Sequence, residues 1–178
     1  MKMPSRAEIL LLVGPKGAGK TTIGRILERQ VGAYFLEVEL IAKRVLDATG
    51  GVINEDYARQ AFEAIAAEVL AISDGRRMVV IETTGASSET AGFIAKLRQD
   101  HVVRLVRVHS NAETCAKRIA ERDPARQVEV PVELIREMHE RTESCRLEWD
   151  LELNNDPPLS AEEVLEALDP LLLHRARG

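Results

Sequence analysis

The sequence predicts an α/β domain in which helices cover both faces of a sheet, and three observations carry that expectation. The run Ile9-Leu10-Leu11-Leu12-Val13 is continuously apolar, as befits a strand buried on both sides. It leads directly into Gly14-Pro15-Lys16-Gly17-Ala18-Gly19-Lys20-Thr21-Thr22 and then into Ile23, Ile26 and Leu27 at helical spacing. Beyond these, short apolar runs alternate with amphipathic helical stretches along the rest of the chain.

The glycine-rich stretch satisfies G-x-x-x-x-G-K-[ST] between a strand and a helix, the context in which that pattern is specific. Its glycines let the backbone curl so that successive amides converge on anionic oxygens, and the helix that follows adds its positive end. Gly14 to Thr22 therefore form a candidate triphosphate cradle. Lys20 is expected to reach the outer phosphates, Thr21 to ligate Mg²⁺ and Thr22 to touch the inner phosphate.

With 178 residues, 45% of them hydrophobic, the length fits one domain spanning residues 1–178 with a core that needs no disulfides. No apolar stretch is long enough for a membrane span or a signal-peptide core, so a cytoplasmic location is expected. Cys115 and Cys145 have neither zinc-ligand nor disulfide spacing. His101, His109, His139 and His174 likewise share no ligand spacing and read as structural or exposed. A net charge of −5 argues against extended contact with a nucleic-acid backbone.

In chain order, strand one is expected at residues 8–13 and its helix at 19–31, stopped by Gly32. A short strand at 33–37 ends at Glu37-Val38-Glu39, two carboxylates at the end of the sheet where ligands sit, although Glu39 also suits a first helical turn. Helices at 40–48 and from 54 or 55 to 72 follow, the second with Phe62, Ile65, Val69 and Ile72 on one face and Arg59 near its start. Strand three, 77–82, closes on Glu82, a carboxylate at a strand tip beside the phosphate loop. A helix at 89–98 and a strand at 101–109 lead to Ser110-Asn111-Ala112-Glu113, which reads as a capping box. The helix it opens is expected to carry Arg118 and Arg122 four apart on one face.

Residues 122–131, bounded by Pro124 and Pro131, read as a short lid ahead of a helix at 131–142. Arg122 and Arg126 are its candidates for stabilising a transferred phosphoryl group, with Arg136 and Arg141 behind them. The alternating Arg and Glu of residues 133–148 also suit simple pairing across a solvated helix. A last strand at 149–153, the Asn154-Asn155-Asp156 turn and a helix capped by Ser160 with Glu163 complete the chain.

This succession of phosphate loop, acidic strand end, arginine-bearing lid and Asn-Asn-Asp turn resembles the nucleoside-monophosphate-kinase-like P-loop kinases. GPKGAGKTTIGRIL followed by VGAYFLEVE is similar to shikimate kinase in particular. The resemblance implies a three-layer α/β/α fold with a five-stranded parallel sheet, strands two and three beside strand one, and right-handed crossovers. It also implies that Arg118 packs on adenine, that Arg122 and Arg126 close over phosphates and that Asn155 borders the base. Two departures bear on the acceptor: Glu37-Val38-Glu39 stands where shikimate kinases carry Asp-x-Asp, and Thr84-Gly85-Ala86-Ser87 where they carry three glycines.

The expected activity is Mg²⁺-dependent transfer of the γ-phosphoryl group of ATP to a small acceptor. Lys20, Glu39, Glu82, Arg122 and Arg126 are the catalytic candidates, Thr21 and Glu37 the metal candidates, and Arg118 and Asn155 join the phosphate loop in holding nucleotide. Among Glu37, Glu39 and Glu82, the roles of metal contact and proton acceptor stay open. Alternatives are a nucleotide or polynucleotide kinase, or a nucleotide-dependent switch; the absence of an Asn-Lys-x-Asp sequence weakens a guanine-binding form of the switch.

Overall fold

The computed structural model describes residues 7–172, except the side chain of Arg126. Its centre is β1 (Glu8–Val13), wholly buried from Ile9 onward and paired in parallel with β3 (Met78–Thr83) on one side and β4 (Val102–His109) on the other. β2 (Tyr34–Phe35) adds outside β3 and β5 (Leu151–Asn154) outside β4, giving the all-parallel order β2-β3-β1-β4-β5. Strand three thus lies beside strand one as expected, whereas strand two lies one place further out and keeps only two residues of its expected five.

Alternation along the strands sorts the core into two layers. Ile9, Leu11, Val79, Ile81 and Leu105 face α2 (Val38–Ala48), α3 (Glu55–Ile72) and α4 (Thr90–Asp100). Leu10, Leu12, Val80, Val106 and Val108 face α1 (Lys20–Val31), α5 (Ala112–Ala120) and α7 (Ala161–Leu172). The same parity aims Glu82, two residues beyond Val80, toward α1, where it meets Thr21.

Several ends follow from local chemistry. Gly32 closes α1 at φ 69°, and Asn54 caps α3 by accepting from the Tyr57 amide. At α7 the capping box closes both ways, Glu163 N to Ser160 Oγ and Ser160 N to Glu163 Oε2. At α5 the expected box is corrected: the cap is Asn111, which accepts from Thr114 N, leaving Ser110 buried and available to Arg118. That helix ends at Ala120, so Arg122 lies in the turn beyond it and does not continue the Arg118 face. β5 starts at Leu151 because the Asp150 carboxylate takes the Leu105 amide. A 3-10 turn, Pro124–Arg126, lies within the expected lid region, and α6 (Val132–Ser144) follows it close to the expected helix.

Candidate active site

The loop between β1 and α1 is fixed by close approaches that only glycine permits. Gly17 and Gly19 sit at φ 86° and 93°, and a Cβ on them would lie 2.5 Å from the Cys115 carbonyl oxygen and 2.2 Å from Asn155 Nδ2. Asn155, buried at the end of β5, donates to the Ala18 carbonyl at 2.7 Å and accepts from Leu159 N. Arg118 donates to Gly17 O (3.2 Å), Ser110 Oγ (3.3 Å) and Asn155 O (3.0 Å). Arg118 and Asn155 thus brace the loop against the β5 turn.

Lys20 is 6% exposed and donates to the carbonyls of Gly14 (2.7 Å) and Pro15 (2.9 Å), the loop's own oxygens. Burial pushes its pKa down to about 8 and Arg122 pushes the same way, while Glu82 and Glu39 oppose the shift. Thr21 Oγ1 donates to Glu82 Oε1 at 3.0 Å. Burial raises the Glu82 pKa, and the nearby Lys20 charge and the Thr21 hydrogen bond only partly offset it.

Glu39 is the hub of the opposite wall. Its Oε1 accepts from Lys16 Nζ at 2.5 Å and from the Val128 amide at 3.1 Å, and Arg122 Nη1 lies 3.6 Å from Oε2. One carboxylate therefore joins the phosphate loop to the lid segment. Glu37 goes elsewhere: it pairs with Arg25 on α1 and is not among the cavity-lining residues, so the carboxylate next to Thr21 is Glu82. Thr22 is exposed. Arg126 lies in the 3-10 turn, and its side chain falls outside the described residues. Arg59 pairs with Asp56 and Glu63 on an exposed helix face and is not among the cavity-lining residues. His174 also lies outside the described residues.

Lys16, Lys20, Glu39, Glu82 and Arg122 open onto a cavity of about 480 Å³ between α2, α3 and α6. Tyr57, Phe62 and Ile65 from α3, and Val128, Leu134 and Met138 from the lid side, also line it. Sequence reading missed these six as site residues, because a buried or half-buried position on an amphipathic helix looks the same whether it faces a core or a ligand, and Val128 lies on no helix or strand. The Val128 amide carried no signal at all, since its partner lies 89 residues away. Tyr57 has its pKa pushed up to about 12 by burial and then by the Glu39 charge, so its phenol stays protonated as a potential donor.

As for cations, Thr21 and Glu82 present adjacent hard oxygens beside the phosphate loop, a donor set that fits a small ion held chiefly by phosphates and water. Among the described residues no group of three or more His, Cys, Asp or Glu side chains forms a metal cage, and no helix is long and apolar enough to cross a membrane.

Known proteins resemble this chain in sequence or in fold. A shikimate kinase of Thermodesulfovibrio yellowstonii is 25% identical over 162 residues, 89% of this chain and 91% of that protein. A shikimate kinase of Methylococcus capsulatus is 36% identical over 78 residues, and there the match spans 44% of each protein. Among solved structures, a gluconokinase from Sinorhizobium meliloti superposes with a TM-score of 0.67 at 19% identity, covering 98% of this chain and all of that one, a likeness of fold. The family AAA_33, described as an AAA domain, matches residues 9–145, from the buried part of β1 through the end of α6. The chain thus belongs to this AAA domain family, a P-loop protein with shikimate kinases among its distant relatives.

Proposed function

We propose that the protein is a Mg²⁺-dependent kinase that moves the γ-phosphoryl group of ATP to a hydroxyl of a small acceptor. The observation that carries this reading is the placement of Lys20, Glu82, Glu39 and Arg122 where the phosphate loop opens into the cavity beneath α3 and the lid. A switch needs only the loop; a transferase needs a seat for an acceptor next to it. The shikimate kinase relatives support the same reading.

Lys20 exchanges the Gly14 and Pro15 carbonyls for phosphate oxygens, and Thr22 meets the inner phosphate as the loop amides close on the chain. Arg118 and Asn155 hold the loop and border the base. Thr21 and Glu82 would hold Mg²⁺, which when bound neutralises charge on the phosphates. Arg122 leaves Glu39 for the phosphoryl group in flight, joined by Arg126 from the 3-10 turn that follows. Glu39, released from both cations, accepts the acceptor's proton as the new O–P bond forms and the bond to ADP breaks.

The test is ADP formation with and without a hydroxylated acceptor, in wild type and in Lys20→Ala. Acceptor-dependent ADP formation that falls by roughly 10²-fold or more in the variant is the expected result. Near-normal turnover in the variant removes the loop lysine from the mechanism.

A further inference from the structure

The cavity that would receive the acceptor is built for an apolar body. Its α3 wall presents Tyr57, Ala61, Phe62 and Ile65, and the lid side presents Val128 and Met138. Phe62 is held in place by stacking on Phe93, with ring centroids 4.5 Å apart. The charged lining residues fall into two groups. One is the phosphoryl-side cluster already described. The other is Glu55 and Arg141 at the mouth, where each is about half exposed and their charged groups approach to 3.8 Å.

Glu55 is further occupied by Ser87 and Ser88, whose hydroxyls donate to its Oε2 at 2.8 and 2.9 Å. Arg141 also pairs with Glu137 at 2.5 Å. The stretch between the two groups is walled mainly by methyl, methylene and ring surfaces, with the Tyr57 hydroxyl and the side chains of Asn54, Thr83 and Thr84 as its polar points. A polyhydroxylated acceptor would bury hydroxyls there largely against carbon, which is unfavourable for each one that finds no partner among these few polar groups. An apolar body gains from the same wall, and 480 Å³ lies in the range of pockets for drug-sized ligands.

We infer that the acceptor is an alcohol with a single reacting hydroxyl on a mainly apolar, aromatic or alicyclic body, the hydroxyl at Glu39 and Glu82 and the body between α3 and the lid. This rests on the kinase reading for the word acceptor; the chemistry of the cavity stands on the lining alone. Acidic polyols of the shikimate and gluconate type gain less from this mainly apolar wall.

The experiment pairs binding with transfer. Tryptophol and cyclohexylmethanol serve as apolar alcohols, shikimate and D-gluconate as polyols. Each is titrated calorimetrically into the protein with a non-hydrolysable ATP analogue and Mg²⁺, and each is tested for ADP formation with ATP. The expected result is at least tenfold tighter binding of an apolar alcohol than of either polyol, and at least tenfold weaker binding of that alcohol in Met138→Glu. Met138→Ala serves as the milder variant: it should weaken the alcohol less than Met138→Glu, and nucleotide affinity in both variants reports an intact fold. Tighter polyol binding, no binding of either alcohol, or alcohol binding indifferent to Met138→Glu overturns the inference. Alcohol binding that responds to Met138→Glu without ADP formation from any acceptor sinks the kinase reading while the cavity chemistry survives.

Discussion

Lys20 is a cation held inside protein, and its chemistry follows from that cost. Its pKa, pushed down to about 8 from 10.5, means that below about pH 8 the fold carries a buried charge, a penalty relieved as pH rises from 8 toward 10.5. A bound polyphosphate supplies the missing counter-charge and raises that pKa again. Binding of an ATP analogue should therefore take up a fraction of a proton at pH 8.5 and almost none at pH 6.5. Calorimetry in buffers of different ionisation enthalpy measures this directly, and buffer-independent heats at pH 8.5 would contradict it.

Glu82 carries the complementary strain. Its folded pKa lies above the usual 4.5, so the folded state is penalised once the carboxylate ionises, and the penalty is absent below pH 4.5. Glu82→Gln should melt at a higher temperature than wild type at pH 7, with the two curves converging as pH falls toward 4.5, while phosphoryl transfer drops. A lower melting temperature at pH 7 would show that attraction to Lys20 outweighs burial. Gly19→Ala should cost about 1–2 kcal/mol in denaturant unfolding from its left-handed backbone alone, before contact with Asn155 is added. Wild-type stability in that variant would mean the loop can re-form without the observed φ.

Among the elements, the lid is joined to the phosphate loop by the carboxylate of Glu39. Glu39, in the first turn of α2, accepts from Val128 N and from Lys16 while facing Arg122. Glu39→Ala should speed hydrogen exchange at the Val128 amide by roughly tenfold or more and leave the β1 amides protected; unchanged protection at Val128 would mean the lid is held by its apolar contacts instead. Arg122→Ala should slow the chemical step by about 10²-fold with a smaller effect on nucleotide affinity. A loss confined to the nucleotide Kd would reduce it to a binding residue.

Elements with a strong local signal were legible in the sequence. β1 was readable to the residue because a five-residue apolar run abuts a glycine turn, and α3 and α7 because Asn54 and Ser160 announce their caps. β2 was not, because residues 33–37 offer one short apolar group and pairing outside β3 stops after Phe35. The α5 cap was misassigned because Ser110 and Asn111 are both good caps and only burial of Ser110 decides between them. In the site, Lys20, Thr21 and Glu82 were readable from motif and strand end. The Glu39 to Val128 bond and the separation of Glu37 onto Arg25 depend on contacts distant in sequence.

At the scale of the whole molecule, the parallel order β2-β3-β1-β4-β5 brings the ends of β1 and β3 side by side, and with them the phosphate loop and Glu82. α3 and the lid then enclose a cavity on the far side of Lys20. In the proposed reading the loop, Arg118 and Asn155 make up a donor side, and α3 and the lid an acceptor side. The central claim is that phosphate crosses between them. Following the label from γ-labelled ATP tests it most directly. The account predicts label on an added alcohol, lost in Lys20→Ala; label recovered only as inorganic phosphate, at a rate indifferent to every acceptor, would contradict it.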